Sequence, residues 1–200
     1  MNKPIYVGFC ILDISKTLMY DFHYGFIKPK YGKKAKLLFT DTDSLCYEIQ
    51  TKNVYEDVYN DKDLFALSEI NYPRFEKYKD NINKKVIGKF KLEHANDLID
   101  EFIGLRSKMY SLQFEDRKTE KKAKRIAKSA IKKDLKHKHY SDILQSGKKM
   151  CSNVKVIRSL KHRVFTIQVN KVSLSAFDDK RFLKKDGIKS FPYSHYKTLK

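Results

Sequence analysis

Hydrophobic and polar positions along this chain recur with two different periods. From residue 7 to residue 27, apolar side chains such as Leu18 and Phe22 return every three or four positions, and this spacing predicts a helix. Gly25 and Pro29 follow as residues that commonly end helices. The chain therefore opens, in this interpretation, with one long helix that stops near Gly25 or Pro29.

The next segment alternates with a period of two. Leu45, Tyr47 and Ile49 fall on one face of an extended chain, with polar or small residues between them. A similar apolar run precedes Asp41 to Asp43. The pattern predicts a β-hairpin with Asp41 to Asp43 at or near its bend.

Later segments also alternate between helical and extended patterns. Residues 55 to 59 predict a short helical turn, and residues 86 to 93, 104 to 114 and 163 to 175 predict strands. Strands and helices mixed in this order indicate an α+β protein.

Composition changes at residue 117. Residues 117 to 138 contain eleven Lys or Arg and two acids. Their apolar positions form a helical stripe, comprising Ala123, Ile126, Ala127, Ala130, Ile131 and Leu135. The segment therefore predicts a basic helix, and the change of composition predicts two domains, residues 1–116 and 117–200.

Charge narrows the class of partner. Across 200 residues, 43 Lys and Arg face 24 Asp and Glu, a formal net charge of +19. Such an excess favours a polyanionic partner, nucleic acid first and an anionic membrane surface second, although surface composition alone also accounts for it. The sequence contains no run of about 18 apolar residues, so it predicts no membrane-spanning helix. The three cysteines stand far apart, and no targeting signal is visible, so we expect a reduced, intracellular protein.

Asp41 and Asp43 are the first candidates for chemistry. Residues i and i+2 of an extended chain point to the same side, where two carboxylates repel each other. A Mg²⁺ ion removes this repulsion, because it prefers oxygen ligands and commonly combines one or two carboxylates with substrate phosphates. The alternative is an ordinary turn, since Asp, Thr and Ser are frequent turn residues.

The ordered series of motifs resembles one enzyme family. The strand–TDTDS–strand unit resembles motif C of family B DNA polymerases, whose palm hairpin carries a catalytic carboxylate. The segments GFCILDISKTLMYDFHYGFIKPKYG, VIGKFKLEHANDLIDEFIGLRSKMYSLQF and KRIAKSAIKKDLKHKHYSDIL resemble the helix before motif C, the remaining palm and the start of the thumb. SLSAFDDKRFLKKDGIKSFPYSHY resembles the C-terminal end of these enzymes. The likeness is to protein-primed, Polinton, virus-like or organellar members.

The resemblance implies a fold and a set of roles. It implies a partial palm with an antiparallel sheet and packed helices at residues 1–116, and a mainly helical basic thumb with a C-terminal strand segment at 117–200. Asp43 matches the metal-binding carboxylate of motif C and Asp41 its acidic neighbour, so both become catalytic and metal-ligand candidates for two Mg²⁺ ions. Lys108 and Tyr110 match a Lys-x-Tyr segment that contacts primer–template DNA. The alternative for this pair is a surface lysine packed beside a tyrosine.

The basic segment supplies further DNA-binding candidates. Its two acids cannot pair with eleven bases, and unpaired like charges weaken a helix. Phosphates would reverse that repulsion and make binding salt-dependent without reading bases. The alternative is a solvated charged face. The candidates are Lys121, Lys122, Lys124, Arg125, Lys128 and Lys132.

The function predicted by this resemblance is DNA-directed DNA polymerase activity in DNA replication. Its partners would be primer–template DNA, deoxynucleoside triphosphates, and a terminal protein or separate chain. Two-metal catalysis needs carboxylates from several segments, and the motif A and motif B patterns of the family are not found in these 200 residues. The alternative is therefore a catalytically incomplete DNA-binding remnant. A polymerase of this kind would act in the nucleus or at the replication site of a virus or mobile element.

A third class of protein, a glycosyltransferase with a D-x-D motif, would also bind a metal ion and a diphosphate at these acids. That class does not explain the net charge of +19.

Two other clusters carry weaker signals. His137 and His139 could ligate a metal, but no third ligand accompanies them in the sequence. Asp178 and Asp179 favour a turn held through Arg181 over a catalytic site.

Overall fold

The computed structural model of the protein describes residues 4–177, 181–184, 190–192 and 195–198. Its secondary structure is 34% helical and 35% strand, arranged in several small, mostly antiparallel sheets. This composition confirms the mixed α+β class. Asp178 and Asp179 lie outside the described residues.

The chain divides into two compact units, Met1–Leu98 and Ile99–Lys200. The division precedes the change of composition at residue 117. The whole basic segment therefore belongs to the second unit, together with the two strands that come before it.

The first unit begins with a long helical region and continues with small sheets. Its helices are α1 (Ile5–Asp21), α2 (Lys28–Tyr31) and α3 (Val54–Asn60), with a π-helical segment at Phe22–Ile27 and 3₁₀ turns at Gly32–Lys34 and Pro73–Tyr78. Its strands are β1 (Ala35–Asp41), β2 (Ser44–Ile49), β3 (Phe65–Ala66) and β4 (Phe90–Lys91). Strands β1 and β2 pair antiparallel, whereas β3 and β4 pair parallel.

The predicted first helix is confirmed, but its predicted end is wrong. The helical region runs through Gly25 and Pro29, and α2 ends at Tyr31, directly before Gly32 with its φ of +53°. Pro29 lies in the first turn of α2, directly after the π-helical segment, where the regular α-helical hydrogen-bond pattern is already interrupted. The predicted strand at 86–93 is confirmed only for Phe90–Lys91.

The core of the first unit is aromatic. Phe22 stacks on Phe90 with ring centroids 4.0 Å apart and meets Phe65 edge-on at 5.8 Å. Tyr55 stacks on Phe75 at 3.8 Å. These contacts fix the π-helical segment against the rest of the unit, whereas α1 buries none of its residues. Among the described residues, no helix is both long enough and apolar enough to cross a bilayer.

The second unit is built on a three-stranded antiparallel sheet. Its strands are β5 (Ile99–Arg106), β6 (Met109–Phe114), β7 (Thr119–Ala123), β8 (Met150–Leu160), β9 (Arg163–Leu174), β10 (Arg181–Leu183) and β11 (Ser190–Pro192). Its helices are α4 (Lys128–Asp134) and α5 (His137–Ser146), with a 3₁₀ turn at Tyr196–Thr198. The sheet order is β5-β6-β7, and β8–β9 and β10–β11 form separate hairpins. The predicted strand at 163–175 is confirmed as β9.

The prediction of a helix over residues 117–138 is wrong. Residues 119–123 form β7, an edge strand on β6, and α4 starts only at Lys128. Lysine-rich sequence is common on edge strands because it discourages further pairing, so the composition fits both structures. The predicted strand at 104–114 is likewise a hairpin, with its turn at Ser107 and Lys108.

Most of the apolar positions of the basic segment are nevertheless buried, whereas Ala127 is exposed. Ala123, Ile126, Ile131 and Leu135 all enter the core of the second unit, where they surround Met109 and Tyr140. Ala130 packs at its edge. The pattern thus identified four core residues and one at the core edge, although they come from a strand, a turn and a short helix with its C-terminal end.

Candidate metal site and nucleic-acid interface

The β1–β2 hairpin places Asp41 and Asp43 at its bend, as the sequence predicted. Asp41 is the last residue of β1 and pairs with Ser44, the first residue of β2. Thr42 and Asp43 form the two-residue connection between them. Asp41 is half-buried and Asp43 is exposed.

The chain between the two acids is bent, not extended. The amide N–H of Asp43 donates to the carbonyl oxygen of Asp41 at 2.7 Å, around Thr42 with φ +57°. This is a three-residue γ-turn with positive φ, a rare and strained turn. The assumption that an extended chain puts both carboxylates on the same side therefore does not hold here.

The side chains at the bend present carboxylate and hydroxyl oxygens. The Thr42 hydroxyl donates to Asp41 Oδ1 at 3.3 Å, and the Ser44 hydroxyl donates to the Asp41 carbonyl at 3.1 Å. Carboxylate and hydroxyl oxygens are hard ligands that suit Mg²⁺. No group of three or more His, Cys, Asp or Glu placed to hold a metal occurs among the described residues.

The neighbouring thiol does not compete as a ligand. Burial, with a smaller contribution from the Glu93 carboxylate, raises the pKa of Cys46 to about 11. A thiolate is the metal-binding form of cysteine, so Cys46 stays a neutral thiol near pH 7. The bend therefore offers oxygen and not sulfur.

The hairpin is fixed to the helical region through a Tyr–His contact. Tyr47 Oη lies 2.8 Å from His23 Nδ1, and the two rings stack with centroids 5.8 Å apart and 10° between planes. Burial raises the pKa of Tyr47 to about 12. This contact holds β2, and with it the bend, against the π-helical segment.

Lys108 and Tyr110 lie in the β5–β6 hairpin of the second unit. Lys108 occupies the turn, with φ +58°, and not a strand as predicted. Tyr110 lies on β6 directly opposite Lys122 of β7. The sheet register thus brings together two of the predicted DNA contacts that are twelve residues apart in sequence.

Basic residues collect at one end of this sheet. Met109 pairs with both Arg106 of β5 and Ala123 of β7, so the β5–β6 turn and the segment after β7 lie at the same end. We call this end the basic rim; it consists of Arg106, Lys108, Lys124 and Arg125. Arg106 Nη1 donates to the carbonyl oxygen of Phe177 at 2.8 Å, and Lys149 Nζ lies 6.0 Å from the Phe177 ring. Side chains from three segments, namely the β5–β6 hairpin, the residues after β7 and the residue before β8, therefore contribute positive charge there.

The remaining basic candidates are dispersed. Lys121 donates to the Leu135 carbonyl at 2.7 Å, and Lys122 pairs with Glu120 at 3.1 Å. Lys128 and Lys132 lie on α4 and are exposed. The six residues predicted along one helix are thus divided among a strand, a turn and a helix.

Sequence reasoning missed the tip of the β8–β9 hairpin. Lys161 and His162 form its turn with φ +47° and +63°, and Arg158 and Arg163 flank it on the strands. The strand β8 before it was not predicted. Alternation in residues 150–160 was the available signal.

The two histidines considered as metal ligands have structural roles. His137 Nδ1 lies 2.7 Å from the Ser111 hydroxyl, and its Nε2 lies 3.2 Å from Glu101 Oε2. His139 Nδ1 accepts the Lys136 amide N–H at 3.2 Å at the start of α5. The His137 contacts join α5 to β5 and β6, whereas the His139 contact caps the start of α5.

Comparisons with known proteins give no relative for this chain. No protein-family model matches it, and neither the curated proteins nor the solved structures contain a significant match.

Proposed function

We propose that this chain is part of a family B DNA polymerase, in which it supplies the motif C carboxylates of the palm and a basic surface for primer–template DNA. Support comes from the resemblance of its ordered motifs and from the hairpin bend that presents Asp41 and Asp43. The bend is the observation that carries the proposal, because strained backbone conformations cluster at functional sites and this one lies between two acids. The basic rim adds a surface suited to phosphates.

The residues at the bend fit a divalent ion. Exposed Asp43 offers a carboxylate directly, and half-buried Asp41 offers a second whose Oδ1 accepts the Thr42 hydroxyl. Bound Mg²⁺ would activate the primer hydroxyl and stabilise the departing pyrophosphate. In this proposal Asp43 would be the principal ligand and Asp41 would support it.

The basic rim would hold the duplex through its phosphates. Each neutralised phosphate releases counterions, so binding weakens steeply with salt. A polymerase must accept any sequence, and contacts restricted to the backbone allow this. Tyr110 and Lys122 lie on the same sheet and would extend the contact along β6 and β7.

The chain on its own is expected to bind DNA without extending a primer. The motif A and motif B patterns are not found in its sequence, and two-metal transfer requires carboxylates from more than one segment. This favours, as the second candidate, a DNA-binding remnant that needs another polypeptide for catalysis. A primer-extension assay with Mg²⁺ separates the two candidates. Robust extension that Asp43→Asn abolishes would reject the remnant.

A pair of matched double variants tests the DNA surface. Lys124→Gln with Arg125→Gln alters the basic rim, whereas Arg117→Gln with Lys118→Gln alters the β6–β7 turn at the other end of the sheet. Both pairs lie in turns, remove two charges and include an arginine with positive φ. They therefore differ mainly in position.

The expected result is a difference in salt dependence. Binding of a labelled duplex is measured by fluorescence anisotropy at several salt concentrations. In the rim variant the plot of log association constant against log salt should be less steep by about 1.8, because each lost phosphate contact removes about 0.9 from its steepness. The control variant should keep the slope close to wild type. Equal changes in both variants, or binding that ignores salt, would refute the assignment of the rim.

Metal binding at the bend is tested separately. Mn²⁺ titration followed by electron paramagnetic resonance should show weaker binding for Asp43→Asn than for wild type. Asp13→Asn, an exposed acid on α1, provides the matched control. Identical titrations for Asp43→Asn and wild type would remove the metal-binding part of the proposal.

A further inference from the structure

A cavity in the first unit is lined by an unusual number of lysines. Its volume is about 560 Å³, within the range of about 300–1,000 Å³ of small-molecule sites. Lys84, Lys85, Lys89 and Lys91 line it, and Glu69 is its single acid. All its lining residues belong to the first unit, so the cavity does not depend on the second.

Two turns and a strand bring these lysines to one place. Lys85 has φ +60° and Gly88 has φ +83°, so the chain reverses direction twice within a few residues. Lys91 then lies on β4, where it pairs in register with Ala66, another lining residue. Lys89, a lining residue, has its side chain held in place because Nζ donates to the carbonyl oxygen of Asp63.

The neutral polar residues of the cavity also present donors. Asn96 Oδ1 accepts the Asn71 amide N–H at 2.7 Å, and Asn71 Oδ1 accepts Lys79 Nζ at 2.5 Å. Each of these oxygens already accepts one hydrogen bond, and the amide NH₂ groups of the two asparagines add donors. Ser68 adds a hydroxyl. The cavity is therefore rich in hydrogen-bond donors.

The one carboxylate offsets little of this charge. Glu69 lies 3.7 Å from Lys91 Nζ, and both side chains are 63% exposed. Exposed ion pairs of this kind contribute little, so the cavity keeps an excess of positive charge. A ligand with several negative charges would neutralise it.

We infer that this lysine cavity binds a small oligophosphate anion, such as inorganic tripolyphosphate or the phosphate chain of a nucleotide. Ammonium groups are effective phosphate binders, and the cavity has the size for such an anion. None of its lining residues is aromatic, so it offers no ring on which a base could stack. Recognition would therefore rest on the phosphates. The inference does not depend on the polymerase proposal, which concerns other residues.

Calorimetry with tripolyphosphate tests the site. Wild type should bind tripolyphosphate more tightly than sulfate at equal ionic strength. Lys84→Gln with Lys85→Gln should weaken binding about tenfold, which corresponds to about 1.4 kcal/mol. Lys33→Gln with Lys34→Gln is the matched control, since it removes an adjacent pair of exposed lysines from the same unit, and it should leave the affinity within about twofold. Circular dichroism confirms that both variants fold.

Glu69→Gln provides a test in the opposite direction. Removing the only carboxylate of the cavity should strengthen tripolyphosphate binding by about two- to threefold, because a like charge no longer faces the anion. If tripolyphosphate bound nonspecifically to the surface, both double lysine variants would weaken its binding equally. That outcome would overturn the inference.

A single-stranded oligonucleotide distinguishes the source of the phosphates. One result is that tripolyphosphate competes with the oligonucleotide and that the Lys84→Gln/Lys85→Gln variant loses affinity for both ligands. That result would show that the cavity binds phosphate groups from either source. If the oligonucleotide alone binds, the small-anion site is refuted. The basic-rim variant, by contrast, should keep the wild-type affinity for tripolyphosphate even if it no longer binds duplex DNA.

Discussion

Thr42 is the single residue whose conformation stands out most. Its φ of +57° is unusual for a β-branched residue, because the side chain crowds the backbone in this region. Such conformations cost about 1–3 kcal/mol and persist where the surrounding structure imposes them. Here the flanking strands β1 and β2 impose the turn between the two acids.

Replacing Thr42 by Asn should stabilise the first unit. Asn tolerates positive φ better than Thr, so we expect the free energy of unfolding to rise by about 0.5–1 kcal/mol in urea denaturation. Thr40→Asn, at a paired position of β1, is the control and should lower it, because Asn is disfavoured in strands. A loss of stability for Thr42→Asn would show that the turn is not strained.

Tyr47 should make stability sensitive to alkaline pH. Its phenol ionises near pH 10 in the unfolded chain, whereas burial raises its pKa to about 12 in the folded protein. The unfolded state therefore loses its proton first, and the free energy of unfolding falls as pH rises from about 10 to about 12. Below about pH 10 this contribution is fully present.

The variant Tyr47→Phe removes this titration. Its stability should be lower at pH 7 by about 0.5–1.5 kcal/mol, because the contact with His23 Nδ1 is lost. Between about pH 10 and about pH 12 its denaturation curves should shift less than those of wild type. Parallel shifts for both proteins would show that Tyr47 does not ionise differently on folding.

Among the elements, β7 illustrates how a tertiary contact overrides a sequence pattern. Residues 119–123 are rich in lysine, a good helix former, yet they pair with β6 from Met109↔Ala123 to Gln113↔Thr119. The pairing puts Ala123 into the core and lets Lys121 reach the Leu135 carbonyl. Helix propensity of a few tenths of a kcal/mol per residue is smaller than this gain.

The contact between α5 and β7 depends on a buried hydroxyl. Tyr140 is fully buried, and its Oη donates to the Lys122 carbonyl oxygen at 3.1 Å. Tyr140→Phe should lower the free energy of unfolding by about 0.5–1.5 kcal/mol. Tyr20→Phe, on the exposed helix α1, should change it by less than about 0.5 kcal/mol. No difference between the two variants would contradict the role assigned to the hydroxyl.

Across the whole molecule, each unit has a hydrophobic core of its own. The first unit packs aromatic side chains around Phe65 and Phe75, and the second packs Met109, Tyr140 and Leu174 between its sheet, helices and long hairpin. Residues that share a core fold together, and those that do not can fold apart. Nearly all of the net charge of +19 lies in the second unit, which has 27 Lys and Arg against 10 Asp and Glu, whereas the first unit has 16 against 14.

The second unit should fold as a separate fragment. Residues 99–200 contain every member of their core cluster, so we expect a cooperative thermal transition followed by circular dichroism. The comparison is a fragment that starts at residue 117, the boundary that composition predicted. That fragment lacks β5 and β6 and should not unfold cooperatively, and a cooperative transition for it alone would favour the compositional boundary.

By itself the sequence determined the local features that depend on periodicity and residue type. These are the first helix, the hairpin that carries Asp41 and Asp43, strand β9, the buried apolar positions of the basic segment and the excess of positive charge. They follow from side-chain spacing and from composition, which the chain carries without any long-range contact.

The tertiary structure alone decided which distant residues share a surface. Strand pairing turned the expected basic helix into β7 and α4, and it assembled the basic rim from Arg106, Lys108, Lys124 and Arg125. Two turns gathered the lysine cavity in the same way. The physical reason is that register and turn geometry are set by contacts between segments far apart in sequence, and a short window of residues does not contain those contacts.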